Sequence, residues 1–177
     1  GSPTIPELTI IMDATSRMIV GWSLAYSESQ IAVGDALRHG MQNHGIPAIY
    51  YSDNGGGQKN KTFDTDVTGV FARLGVHHAT GIPGNPQGRG IIERQMKEVP
   101  KRVAQAFATY TGKDADPETV RKMLSDMGAL TDAVAKHKSS DELTPKQKRA
   151  ERMLPSWHEL MAEIKAQVED YNFNRIH

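Results

Sequence analysis

The sequence has no cysteine, no net charge and no long apolar stretch. Without cysteine the chain can form no disulfide, thiolate metal site or thiol nucleophile, which suits a reducing cytoplasm. No apolar run approaches the roughly 20 residues that a membrane-spanning helix needs, and the amino terminus shows no signal-peptide pattern. We therefore expect a cytoplasmic protein that has no membrane partner.

The charge is balanced, with 21 Lys and Arg residues against 21 Asp and Glu residues. A dedicated DNA-binding domain is usually strongly basic, so the balance argues against one, although local basic patches can still exist. Hydrophobic residues at 38% and charged residues at 24% are ordinary for a globular protein. The length of 177 residues suits one domain with a real core.

The order of apolar segments predicts an α/β protein with a mixed sheet flanked by helices. Residues 8–13 and 18–26 predict a hairpin. Ser27 begins a Ser-x-x-Gln capping box, which predicts a helix that stops at Gly45-Ile-Pro47. A strand over 48–52, a short helix over 63–74, a strand over 75–80 and a helix from Ile91 follow. Pro100 is expected to kink the helix from Ile91 or to force an irregular turn in it.

The last third of the sequence carries three helix-start signals. Asp116 is followed by proline, which is the pattern of an N-cap before the first helical position. Thr144 and Ser156 each begin a capping box. Residues 112–117 are expected to form a loop, so this region predicts additional helices beyond the α/β part.

Asp53 is the first candidate catalytic residue. It follows the predicted strand over 48–52 directly and is itself followed by Asn-Gly-Gly. In open α/β sheets, ligand sites usually lie at the edge where the carboxyl ends of the strands meet. Taken alone, the pattern is also that of a simple Asp-Asn-Gly turn.

Glu93 is the second candidate. It lies in the first turn of a predicted helix, after a stretch (81–90) that holds four Gly and two Pro. The helix dipole favours a carboxylate there whatever its function. Glu93 and Asp53 are 93 − 53 = 40 residues apart, with a helix and a strand between them. Such a pair can converge on one hard cation such as Mg²⁺.

Four motifs, in order, resemble the DDE superfamily of retroviral integrases and insertion-sequence transposases. Ser52-Asp-Asn-Gly55 resembles their Asp-Asn-Gly strand end, and PGNPQGRGIIE, ending at Glu93 and followed by Lys97, resembles their loop and catalytic helix. MDATSRMIVGW, ending at Trp22, resembles a hairpin of these cores, and YNFNRIH, from Tyr171, resembles their closing motif. The helical segment after Tyr110 favours the phage Mu-type transposases.

The resemblance implies a ribonuclease H-like fold with extra C-terminal helices, and an integrase-like catalytic core over residues 3–177. The implied activity is metal-dependent DNA strand cleavage and strand transfer. Asp53 and Glu93 would be two of three carboxylates that bind Mg²⁺ or Mn²⁺ in a two-metal mechanism. The implied partners are transposon ends and target DNA, on which the protein would assemble as a homo-multimer.

The resemblance departs from the family at the first catalytic aspartate, which normally lies on a strand ahead of the hairpin. Asp13 falls at the turn of the hairpin, where its side chain is expected to accept hydrogen bonds from nearby amides. The alternative is that Asp13 is the missing metal ligand. Because Gly1-Ser2 looks like an expression scar, we expect the core to be truncated before its first strand and this fragment to be inactive.

Candidate DNA contacts lie near the two carboxylates. Lys97 and Lys101 follow Glu93 at i+4 and i+8, so they would share its helix face. Arg89 lies between two glycines of the preceding loop, and Asn54 follows Asp53. The alternative for the lysines is a solvated helix face with an i,i+4 Glu–Lys pair.

Two other functions remain open at this point. One is a ribonuclease H-like nuclease or resolvase that cuts DNA without joining it. The other is a catalytically inactive integrase-like module that binds DNA or protein. A zinc site at His77 and His78 is disfavoured, because adjacent residues of a strand point to opposite faces.

Overall fold

The computed structural model describes residues 5–27, 29–52, 69–80 and 90–175, with the side chains of all but 80 and 90–96. The described residues divide into two compact units: a strand unit within residues 6–96 and a helical unit within residues 97–175. Within the described part, no helix is long and apolar enough to cross a membrane.

The elements are β1 (Glu7–Met12), β2 (Ile19–Ala25), α1 (Gln30–His44), β3 (Ile49–Ser52), β4 (His77–Thr80), α2 (Gly90–Gln105), α3 (Pro117–Ala135), a 3₁₀ turn (Ser140–Glu142), α4 (Pro145–Met153) and α5 (Trp157–Asn174).

The predicted hairpin is confirmed. β1 and β2 pair antiparallel, with Ile10 opposite Trp22, and the register shifts between Ile11 and Met12. Asp13 donates its backbone N–H to the Met18 carbonyl at 2.9 Å, which closes the connection. Arg17 adopts a left-handed backbone with φ of 62°.

β2 packs closely against α1. A Cβ atom at Gly21 would lie 2.3 Å from the Ala36 carbonyl oxygen, so only glycine allows this approach of strand to helix. The Ser23 hydroxyl, which is buried, donates to the Ala32 carbonyl oxygen at 2.5 Å. The contact therefore combines backbone packing with a buried hydrogen bond.

The ends of α1 correct one prediction and confirm another. The N-cap is Ser29, whose extended backbone lets its hydroxyl accept from the Ala32 amide at 3.1 Å. The prediction of Ser27 as the cap was wrong by two residues, because helix α1 begins at Gln30 and the side chain that reaches its free amides is that of Ser29. Gly45 ends the helix with φ of 91°, as its sequence signal predicted.

β3 and β4 pair in parallel, from Ile49 opposite His77 to Ser52 opposite Thr80. Residues 69–74 are helical, which agrees with the end of the predicted short helix; residues 63–68 lie outside the described part. Phe71, Leu37 and Val76 form the buried core of this region. The described residues thus give the predicted mixed α/β structure, with one antiparallel and one parallel two-stranded sheet; the ribonuclease H-like mixed sheet stays a prediction.

α2 runs from Gly90 to Gln105 with Pro100 inside it, so the helix does not end there; the kink expected at Pro100 stays a prediction. The three predicted helix starts that follow are confirmed: Asp116, Thr144 and Ser156 each accept a hydrogen bond from the amide three residues later. Helices α3 and α4 enclose a core of buried apolar side chains, which consists of Leu130, Ala133, Leu143 and Ala150.

Candidate active site

The carboxyl end of β3 is held by a side-chain hydrogen bond to β4. Ser52, the last residue of β3, is 8% exposed. Its hydroxyl lies 2.8 Å from Nε2 of His78. The His78 ring is itself held among aromatic rings, 5.6 Å from the centroid of Tyr50 and 5.6 Å from that of Phe71.

The Ser52–His78 hydrogen bond was missed from the sequence. The signal that could have found it is the parallel register: Tyr50 is the partner of His78. Ser52 lies two residues further, on the same strand face. Asp53 follows Ser52 directly in the chain, but it lies outside the described residues, as do Asn54 and Arg89.

Glu93 lies within α2, the helix that begins at Gly90, as predicted. Its side chain is outside the described part. Within the residues that are described, no group of three or more His, Cys, Asp or Glu side chains could hold a metal ion. The two predicted catalytic carboxylates therefore remain predictions that the described side chains do not test.

The two candidate DNA-binding lysines differ in their surroundings. Lys97 is exposed and forms no ion pair among the described residues. Lys101 lies 3.4 Å from a carboxylate oxygen of Asp114. Asp114 also accepts from the Gln105 amide at 2.5 Å and from the Tyr110 hydroxyl. The bond from Tyr110 and the nearby Lys101 ammonium lower the pKa of Asp114 below its usual range, so this carboxylate stays charged beside Lys101.

Asp13 serves the hairpin turn, which confirms the interpretation as a turn-former. One of its carboxylate oxygens accepts from both the backbone N–H and the hydroxyl of Ser16, each at 2.7 Å. These hydrogen bonds lower the pKa of the Asp13 carboxyl.

No family model matches the chain. Its similar sequences are retroviral: the Gag-Pro-Pol polyprotein of Sheep pulmonary adenomatosis virus is 33% identical over 78 residues, or 40% of the chain and 4% of the polyprotein. The polyprotein of Squirrel monkey retrovirus is 35% identical over 100 residues (55% and 5%). That of Mason-Pfizer monkey virus is 41% identical over 58 residues (33% and 3%). The chain spans only a few per cent of these relatives, and the matches support an integrase-like relationship.

A solved structure adds likeness at the level of the fold. In the simian T-cell lymphotropic virus intasome in complex with the PP2A regulatory subunit B56 gamma, one chain matches with a TM-score of 0.60 at 17% identity. The match covers 98% of this chain and 45% of that one. At this identity the match shows a likeness of fold alone.

Proposed function

We propose that this chain is the catalytic core of a DNA transposase or integrase, which cleaves DNA strands and transfers them with a divalent metal ion. The proposal rests on two observations that agree: the integrase-like motifs around Asp53 and Glu93, and the similarity to retroviral polyproteins. The Asp-Asn-Gly sequence directly follows β3, Glu93 lies in the first turns of α2, and the sequence and fold matches are retroviral. The proposal includes a ribonuclease H-like fold for the core.

Asp53 and Glu93 would be the residues that hold the metal. Carboxylate oxygens are the ligands that Mg²⁺ and Mn²⁺ prefer, so the donor set fits these ions. Bound in such a site, the ions would supply activation of the attacking hydroxyl and stabilisation of the leaving oxygen in an in-line displacement. Asp13 is occupied in its turn through Ser16, so we do not assign it to this set.

DNA would be bound mainly through phosphate contacts. Of the two described candidate lysines, Lys97 is the better suited, because it is exposed and forms no ion pair within the described part, whereas Lys101 pairs with Asp114. Asn54, Arg89 and Lys101 are further proposed contacts. The proposed partners are transposon ends and target DNA, with the protein acting as a homo-multimer on DNA.

Within this class, a phage Mu-type transposase is the finer proposal. It is supported by the helical region after Tyr110, where α3, α4 and α5 extend the chain. The sequence relatives found are retroviral, so this finer assignment depends on the motif pattern and the additional helices alone.

The proposal is tested by strand cleavage and strand transfer on labelled DNA ends with Mg²⁺ or Mn²⁺. In the full-length protein, Asp53→Asn and Glu93→Gln should each lower both activities at least about 100-fold, because metal-ion catalysis contributes several kcal/mol and each tenfold corresponds to about 1.4. Circular dichroism should show both variants folded.

Matched controls are Asp35→Asn, at an exposed carboxylate of α1, and Glu169→Gln, at an exposed carboxylate of α5. Both should leave the activities unchanged. Full activity in either site variant would contradict the assignment. Cleavage without joining would favour the nuclease or resolvase, and DNA binding without any metal-dependent cleavage would favour the inactive interaction module.

A further inference from the structure

Four charged side chains form a closed ring between α2 and the end of α5, which we call the charge ring. Arg175 donates to Glu98 through one terminal nitrogen and to Asp170 through the other, at 2.7 Å for Asp170. Arg102 lies 3.1 Å from Glu98 and 4.0 Å from Asp170. Each arginine thus lies between the same two carboxylates, and positive and negative charges alternate around the ring.

Arg175 is the enclosed member of the charge ring, whereas Glu98, Arg102 and Asp170 are between 41% and 46% exposed. The Arg175 side chain is 16% exposed. Its guanidinium lies 5.9 Å from the ring centroid of Tyr171, which is a buried residue. The Nε of Arg175 adds a second hydrogen bond to Asp170 at 3.1 Å, so that carboxylate is held by the fork of the guanidinium. A network of several charges with a forked arginine contributes more than an isolated exposed ion pair does.

The charge ring brackets the weakest point of α2. Pro100 lies inside this helix and has no amide hydrogen, so the Met96 carbonyl lacks the usual i+4 partner. Glu98 and Arg102 stand two residues on either side of Pro100 and pair with each other, and Glu98 also pairs with Arg175. Glu93 lies on the same helix, 98 − 93 = 5 residues before Glu98.

We propose that the charge ring is a brace that keeps α2 helical across Pro100 and so positions Glu93. Arg175, Glu98, Arg102 and Asp170 are positioning residues in this sense, and their link to catalysis rests on the proposed function. Truncating Glu98 should loosen the helix without touching substrate or metal.

The brace itself is tested by amide hydrogen exchange in α2, which does not depend on activity. Glu98→Gln keeps the size of the side chain and removes its charge. It should speed exchange of the α2 amides around Pro100 about fivefold, which corresponds to the upper end of what single ion pairs contribute. Glu169→Gln, which makes the same chemical change in the i,i+4 pair with Lys165 on α5, should leave exchange in α2 unchanged.

Pro100→Ala separates a brace from a general stabilising contact. Alanine restores the missing amide donor and favours helix, so the brace should become dispensable. In the Pro100→Ala background, Glu98→Gln should then change the exchange rate of the α2 amides less than twofold. The double-mutant cycle of these two changes measures the coupling between Glu98 and Pro100. An undiminished effect of Glu98→Gln in that background, or no effect in the parent protein, overturns the brace.

The catalytic consequence is measured on strand transfer by the full-length protein. Glu98→Gln should lower kcat about fivefold while KM for DNA stays constant, because the loss concerns positioning and not DNA affinity. Pro100→Ala should restore kcat. An unchanged kcat overturns the positioning role. If Asp53→Asn leaves strand transfer intact while exchange still reports the brace, the proposed function fails and the brace stands.

Discussion

Single residues decide how closely the strand unit packs. At Gly21 the added Cβ would meet the Ala36 carbonyl oxygen at 2.3 Å and the Gly40 nitrogen at 3.1 Å, both of them backbone atoms. Backbone cannot swing aside as a flexible side chain can, so the strand would have to move away from α1. At Gly34, on the exposed side of α1, nothing lies within 4 Å of the added atom.

The two glycines therefore predict opposite outcomes for one chemical change. Gly21→Ala should destabilise the protein by about 1–3 kcal/mol, the usual cost of overpacking a close contact. Gly34→Ala should stabilise it by up to about 1 kcal/mol, because alanine has the higher helix propensity. Urea unfolding of both variants measures this difference. A stabilising Gly21→Ala would show that β2 and α1 are not in contact as described.

Among the helices, α3 and α4 are joined by one buried carboxylate. Asp126 is 2% exposed; it accepts a hydrogen bond from Nε of Arg149 at 2.8 Å and lies 2.7 Å from Nη2 of the same guanidinium. The ammonium of Lys146, which lies on α4 with Arg149, is 3.9 Å from the other carboxylate oxygen of Asp126. The hydrogen bond from Arg149, with the charges of nearby lysines, lowers the pKa of Asp126 although burial opposes this.

The lowered pKa makes the junction of α3 and α4 acid-sensitive. Because the folded-state pKa lies below the unfolded value near 3.9, the stabilisation is complete above about pH 4 and is lost as pH falls through the folded-state pKa. Asp126→Asn should therefore lower the melting temperature by several degrees at pH 7. The difference from the parent should shrink towards pH 2.

Asp132→Asn, at an exposed position of the same helix, is the matched control. It should change the melting temperature little at either pH. A constant gap between Asp126→Asn and the parent protein from pH 7 to pH 2 would contradict the coupling of this carboxylate to folding.

For the molecule as a whole, a net charge of zero means that the proposed DNA affinity would come from a few local cations. Lys97 is exposed without an ion pair in the described part, whereas Lys101 is bound to Asp114 at 3.4 Å. Release of counterions by a phosphate contact contributes about 0.9 to the slope of log affinity against log salt. The two lysines should therefore differ in DNA binding although they lie one helical turn apart.

Lys97→Ala should reduce the salt slope by about 0.9, and Lys101→Ala should reduce it by less, because Asp114 competes with phosphate for Lys101. Asp114→Asn should increase the contribution of Lys101. Fluorescence anisotropy at several salt concentrations measures all three slopes. Equal slopes for Lys97→Ala and the parent protein would place Lys97 outside the DNA contact.

Local signals in the sequence predicted local structure well. The caps at Asp116, Thr144 and Ser156 follow from side chains that reach an amide three residues away, so no distant contact is needed to choose them. The prediction of Ser27 as the N-cap of α1 was wrong because two nearby serines both fit the sequence pattern of a cap. The extended backbone of Ser29 places its hydroxyl at the helix start. The resemblance to integrases indicated the relationship that the retroviral matches support.

Contacts between distant segments were not predictable in the same way. The Ser52–His78 hydrogen bond joins residues 26 apart, and the Arg175–Glu98 contact joins residues 77 apart. Each depends on a register or a helix packing that hydrophobic periodicity does not specify. Asp53 and Glu93 were chosen by motif, and their roles stay predictions.

The parallel pairing of β3 with β4 has a consequence for the order in which the chain folds. Ile49 and His77 are 77 − 49 = 28 residues apart, whereas Met12 and Ile19 of the hairpin are 19 − 12 = 7 apart. Closing the longer loop costs more entropy before any contact compensates it. The hairpin is thus expected to form early and the β3–β4 pair late. Until that pair closes, a newly made chain would expose the edge of β3, a site where another chain could add a strand.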